Sequence, residues 1–117
     1  MKFKLTDKFK TLLDGTKLYQ IQALKDFGDV KAGELGGWIE KEANLSQEGN
    51  CWVFDDARVF GDARVFVDAW VSGNSEVFGS AWVEEGKIAI GSWERQPTDE
   101  ELLWCGSNSE VGKLLFS

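Results

Sequence analysis

At 117 residues, 43% hydrophobic and 28% charged, the chain has the size of a single domain with room for one core. Its formal charge of -7 is the wrong sign for gripping phosphates, which argues against nucleic acid or an anionic membrane surface as a direct partner. Histidine is absent, so the commonest general base and a common zinc ligand are both missing.

The first 49 residues carry eight Lys against eight Asp plus Glu. Lys8 to Leu13 and Thr16 to Leu24, joined by Asp14-Gly15, read as a β-hairpin with a type I′ turn, because Asp-Gly accepts the positive φ angles that this turn needs. In the second arm Tyr19, Ile21 and Ala23 share a face, the one expected to turn toward the rest of the protein. Gly28, Gly33, Gly36 and Gly37 mark Lys25 to Gly37 as a turn-rich connection, after which Trp38-Ile39 starts the next unit.

Asn50 to Glu85 then writes itself as six hexapeptides: NCWVFD, DARVFG, DARVFV, DAWVSG, NSEVFG and SAWVEE. Val53, Val59, Val65, Val71, Val77 and Val83 hold the fourth position, and a small residue (Cys51, Ala57, Ala63, Ala69, Ser75, Ala81) stands two places earlier. A period of six suits neither a helix nor a lone strand and points to a solenoid. Three hexapeptides make one triangular coil of about 18 residues, stacked on the next at about 4.8 Å. Val53 should therefore lie on Val71, Val59 on Val77 and Val65 on Val83, with Trp52 beside Trp70, Arg58 beside Glu76, Phe60 beside Phe78 and Arg64 beside Trp82. Gly61, Gly73 and Gly79 fall at corners that demand positive φ, and Asn50, Asp56, Asp62, Asp68 and Asn74 suit the same corners through side-chain bonds to backbone amides. Upstream, Leu45 and Ile39 extend the inward positions into a degenerate first coil, given a local insertion around Ser46 to Gly49.

After Val83 the rule lapses, since the next valine position holds Ala89 and the small position Lys87. Lys87 to Ile90 reads as a final strand and Gly91 to Pro97 as a turn. Thr98-Asp99-Glu100-Glu101 then caps a short helix running to about Cys105. The expected architecture is one mainly β domain: an N-terminal hairpin cap and connection (1–37), a parallel β-solenoid (38–90) and a C-terminal cap (91–117). Both ends need covering, because a terminal coil otherwise exposes its core and an unpaired edge.

The run DARVFGDARVFVDAWV resembles the hexapeptide-repeat parallel β-helix family, which implies left-handed coils. With LGGWIE and NLSQEGNCWV upstream, it is similar to small repeat proteins of phages and prophages. The resemblance also brings in that family's best-known enzymes, acyltransferases and metal-dependent relatives, which work through histidine. This chain has none, and it lacks a Cys-x-x-Cys motif, so we expect no catalytic, cofactor-binding or metal-binding residues and no cofactor. Cys51, at a small inward position, reads as a buried free thiol.

Functional expectations therefore rest on the outward residues. Asp55, Asp56, Asp62, Asp68, Glu76, Glu84 and Glu85 face only Arg58 and Arg64 within the repeat. They suggest an acidic protein-binding face that mimics nucleic acid and blocks a host nucleic-acid-binding complex, as an anti-CRISPR protein of phage origin would. Trp52, Trp70, Trp82, Phe60 and Phe78 are the expected interface aromatics. With Phe54 and Phe66 they exceed what a core of valine and alanine can take in, so the hairpin or a partner must cover them. The alternative is a structural module that self-associates through these aromatics and its coil ends, for example as a homodimer. The bacterial cytoplasm is the expected compartment, since the sequence shows no signal peptide, membrane-length apolar stretch or cysteine framework.

Overall fold

A computed structural model describes residues 1–89 and 91–94. The helix expected up to Cys105, and the C-terminal cap beyond residue 94, lie outside the described residues.

The hairpin is real, and its first arm is longer than expected: β1 (Phe3–Thr11) pairs antiparallel with β2 (Lys17–Ala23). Its turn is not type I′. Only Gly15 has a positive φ (94°), and its N–H donates to the Leu12 carbonyl. This is the longer loop in which a turn is followed by one left-handed glycine. Asp14 caps it by accepting from the Thr16 amide, a bond that holds the Asp14 carboxyl below the usual carboxylate range.

Next comes β3 (Leu35–Ile39), antiparallel to β2 on one side. Gly36 and Gly37 thus sit inside a strand rather than in a connection. The reason is space: a Cβ on Gly37 would lie 2.6 Å from both the Ala57 carbonyl oxygen and Val53 Cγ1. On its other edge β3 pairs parallel with Arg58–Val59, which joins it to the solenoid.

The solenoid strands are two residues each: β4 (Trp52–Val53), β5 (Arg58–Val59), β6 (Arg64–Val65), β7 (Trp70–Val71), β8 (Glu76–Val77), β9 (Trp82–Val83), β10 (Lys87–Ile88) and β11 (Ser92–Trp93). They stack into the three faces of a triangle. One face is β1-β2-β3-β5-β8-β11, a second β4-β7-β10 and a third β6-β9. Each predicted valine stack is present: Val53 on Val71, Val59 on Val77 and Val65 on Val83, all fully buried. Coil-to-coil hydrogen bonds hold the stack, among them Phe54 N–H to Val71 O at 2.7 Å and Arg64 N–H to Ala81 O at 2.8 Å.

The degenerate first coil also forms. Ile39 lies beside Val59 and Leu45 bridges to Val65. Ile39 and Leu45 are six residues apart, whereas Leu45 and Val53 are eight apart, so the extra residues sit after Leu45, where the register required them. A single 3-10 turn, Glu42–Asn44, replaces a strand in this coil. Asn44 anchors it: the side chain is fully buried, donates to the Gly61 and Ala63 carbonyls and accepts from the Glu40 and Lys41 amides.

At the other end the repeat shortens rather than stops. Ile88 takes the place after Val83 and pairs with Val71, and Trp93 pairs with Val77. One residue has dropped from each corner, so Gly86 and Gly91, both at positive φ, take the small positions. The stretch 91–97 was expected as a turn, yet it contains β11, whose Trp93 side chain joins the core.

At the corners, the residue two after the valine is left-handed in the first five hexapeptides, at Asp55, Gly61, Val67, Gly73 and Gly79, whereas after Val83 the positive φ moves one place on to Gly86. The expected Asx caps are not made by Asn50, Asp56, Asp62, Asp68 or Asn74. Corner amides are served instead from the coil above, Gly61 by Glu40 (2.8 Å) and Gly73 by Asp55 (3.1 Å).

Substituting Gly37 with Ala should lower stability by about 1 to 3 kcal/mol through overpacking, although its φ is ordinary. Urea denaturation checks this, and an unchanged midpoint would mean that the strand gives way easily.

Candidate functional site

The three faces differ in what lies over them. On the six-stranded face the outward residues are Trp38, Arg58 and Glu76. Lys10 of the hairpin places Nζ 4.0 Å from the centre of the Trp38 ring, and burial there lowers its pKa. Arg58 and Glu76 form the expected pair, with N···O at 3.8 Å, half-exposed and hence of small energetic value.

On the β4-β7-β10 face, Trp52 is fully buried. Phe3 and Phe27 meet its ring edge-on, at centroid distances of 6.2 and 5.2 Å. Trp52 therefore cannot serve as an interface aromatic, because the N-terminal region already covers it. Its Nε1, like that of Trp38, is buried without an acceptor among the described residues. Trp70 is only half-buried: Phe54 lies edge-on at 5.3 Å, Lys87 Nζ sits 4.8 Å from the ring centre, and Nε1 donates to the Asn50 carbonyl. Phe60 and Phe78, on the corner between the six-stranded and β6-β9 faces, stack in parallel at 5.4 Å and are each half-buried.

Among the described residues, none lies over the β6-β9 face. Its outward residues are Arg64 and Trp82, in register, and Trp82 is 60% exposed. The Trp82 ring meets Phe66 edge-on at 6.2 Å. Beside the 3-10 turn a groove of about 560 Å³ opens here, lined by Glu42, Leu45, Gln47, Arg64, Phe66 and Trp82 among others. Arg64 ion-pairs with no carboxylate among the described residues, and Glu42 is held by Gln47 Nε2 at 2.8 Å.

Beside the groove stands Val67, 51% exposed, with φ at 59°. A β-branched residue in the left-handed region costs about 1 to 3 kcal/mol. Gly61, Gly73 and Gly79 occupy the same corner position without strain. The repeat thus keeps an apolar, exposed side chain where glycine would fit better. Sequence reading passed over Val67, yet the signal was there, in the hexapeptide ending in valine where its neighbours end in glycine.

The seven predicted carboxylates do not share one face. Asp55 and Asp56 lie on the corner between the β4-β7-β10 and six-stranded faces. Asp62 lies on the next corner, paired with Lys41 at 3.2 Å. Glu76 is outward on the six-stranded face. Asp68, Glu84 and Glu85 gather on the corner beside Val67, where the Asp68 amide donates to the Glu84 carbonyl.

Elsewhere, the fully buried Cys51 thiol faces Lys2, another residue that the sequence did not single out. Lys2 Nζ donates to the carbonyls of Cys51 (2.9 Å), Gly49 (3.3 Å) and Glu48 (3.4 Å) and lies 3.4 Å from Cys51 Sγ. Burial raises the Cys51 pKa and lowers that of Lys2. Among the described residues no cluster of potential ligands suits a metal ion, and no helix is long and apolar enough to cross a membrane.

Sequence period and stacking together define a hexapeptide-repeat β-solenoid. No family profile matches the chain. Over 70 residues it is 49% identical to a protein of Escherichia coli (strain K12) named "uncharacterized acetyltransferase YdcK". That match takes in 53% of this chain and 22% of that protein, so the chain spans under a quarter of the length of the relative it matches.

Fully buried, and so closed to a bulky reagent, Cys51 should react with N-ethylmaleimide far more slowly in the native protein than in urea. At about pH 8 the difference should exceed roughly a hundredfold, followed on the peptide carrying Cys51. Equal rates would place the thiol in a region that opens readily.

Proposed function

We propose that the chain is a non-enzymatic binding module that docks a protein partner on the β6-β9 face, with Trp82 and Phe66 as aromatic anchors and Val67 as an apolar contact. The observation that carries this is Val67, an exposed side chain kept in a strained conformation that neighbouring corners relieve with glycine. Strain of this kind is retained where the side chain serves another purpose. Asp68, Glu84 and Glu85 edge the same face, so the matching partner is apolar at its centre with a basic rim.

A finer version makes the chain a phage-type inhibitor whose carboxylates imitate nucleic acid and block a host nucleic-acid-binding complex in the bacterial cytoplasm, in the manner of an anti-CRISPR protein. The charge of -7 supports it. The spread of the carboxylates over several corners and a face favours the anchored docking surface instead. Similarity to a protein named as an acetyltransferase supports a competing reading, in which this solenoid is the scaffold part of an acyl-transfer enzyme. In that reading the base must come from a residue other than histidine or from outside this chain.

Binding and stability together test the proposal. Val67→Gly should raise the denaturation midpoint while weakening binding to a partner purified after capture from a bacterial lysate. Trp82→Ala should weaken that binding by about tenfold or more, as expected of an aromatic hot spot. Unchanged affinity in both variants would end the docking reading. If Asp55→Lys/Asp56→Lys weakens binding as much as Asp68→Lys/Glu84→Lys, and raised salt releases the partner, nucleic-acid mimicry replaces it.

A further inference from the structure

Lys2 and Cys51 are 49 residues apart in sequence and meet inside the protein, both essentially without solvent exposure. Three carbonyls, those of Glu48, Gly49 and Cys51, ring the ammonium, and Cys51 Sγ stands at the fourth side, 3.4 Å away. The thiol in turn points at the carbonyls of Ser46, Glu48 and Val65, at 3.6 to 3.7 Å. No other cysteine stands among the described residues. Phe27 closes the site, its ring centre 4.7 Å from Nζ.

We propose that this pair is a modification site, at which peroxide joins Lys2 Nζ to Cys51 Sγ through a single oxygen atom. The chemistry balances in three steps. In the first, the sulfur attacks one oxygen of hydrogen peroxide, the O–O bond breaks, and the products are a cysteine sulfenic acid and one water. In the second, the Nζ lone pair attacks one oxygen of a second peroxide, whose O–O bond breaks to give an N-hydroxyl group and one water. In the third, that hydroxyl oxygen attacks the electrophilic sulfenic sulfur, the S–OH bond breaks, and the hydroxide leaves with the N–O–H proton as a further water. Sulfur and nitrogen are oxidised, and both peroxides are reduced.

Geometry selects this product over the alternatives. One inserted oxygen spans most of the 3.4 Å gap, whereas a direct S–N bond would require the two atoms to close by nearly half of it inside a packed interior. Burial keeps bulky thiols away from the sulfenic acid, which removes its usual fate of a mixed disulfide. Burial also lowers the Lys2 pKa, which raises the share of free amine. The bridge would lock the N-terminal strand onto the inserted loop that follows Leu45, and so hold the hairpin cap closed over the first coil. It stands independently of the docking surface.

Intact-mass measurement of the folded protein after hydrogen peroxide tests it. The expected product gains one oxygen and loses two hydrogens, reverts with dithiothreitol in urea, and yields a tryptic fragment joining residues 1–4 to 42–58. Its thermal midpoint should rise and fall back on reduction. Cys51→Ser and Lys2→Arg, each first shown to fold by circular dichroism, should abolish both the fragment and the shift. The proposal is overturned if Cys51 gains oxygen with no loss of hydrogen, stays unmodified, or shows the same mass change in Lys2→Arg.

Discussion

The whole structure depends on one constraint: each coil must offer its backbone to the next in register while placing one branched side chain per face on the axis. Hydrogen bonds such as Trp52 N–H to Ala69 O and Arg58 N–H to Ser75 O set that register. Val53, Val59 and Val65 then meet Val71, Val77 and Val83 without gaps. Turning the chain every six residues forces a left-handed residue at each corner, and glycine supplies it at least cost. Where the chain departs from that economy, at Asp55 and Val67, the departure is informative. Asp55 recovers something by accepting from the Gly73 amide one coil on. Val67 recovers nothing visible from its side chain.

Both ends of the array show how a repeat is adapted without losing the axis. At the start, two extra residues enlarge a corner, and Asn44 and Lys2 supply bonds that a regular coil would have made for itself. At the finish, corners lose a residue, Gly86 and Gly91 replace alanine, and Ile88 and Trp93 widen the apolar fill. The hairpin adds a different solution, extending one face antiparallel through β2 and β3 and burying Phe3, Ile21 and Ala23 against the first coil.

Coverage, rather than composition, divides the outward aromatics by role. Trp52 and Trp38 are structural because the N-terminal region reaches them, whereas Trp82 stays 60% exposed, with no described residue lying over the outer side of its strand. The acidic residues were assigned to one surface on count alone. Their true placement follows from corner geometry, which sends successive carboxylates around the triangle instead of along an edge. Only Asp68, Glu84 and Glu85 end up together.

The solenoid itself was legible in the sequence, down to individual neighbours, because a strict period of six leaves few ways to bury one valine per repeat. Even the insertion after Leu45 showed as a slip in register. Local chemistry misled where length changed: a five-residue step hid Ile88 and Trp93, and Gly36-Gly37 passed for a turn. What the sequence could not contain is which face stays bare, which corner carries strain, and that Lys2 reaches Cys51. Those depend on where the hairpin and its connection pack, through contacts between residues tens of positions apart. No local pattern encodes such contacts, so the fold was determined by the sequence and the site was decided by the tertiary structure.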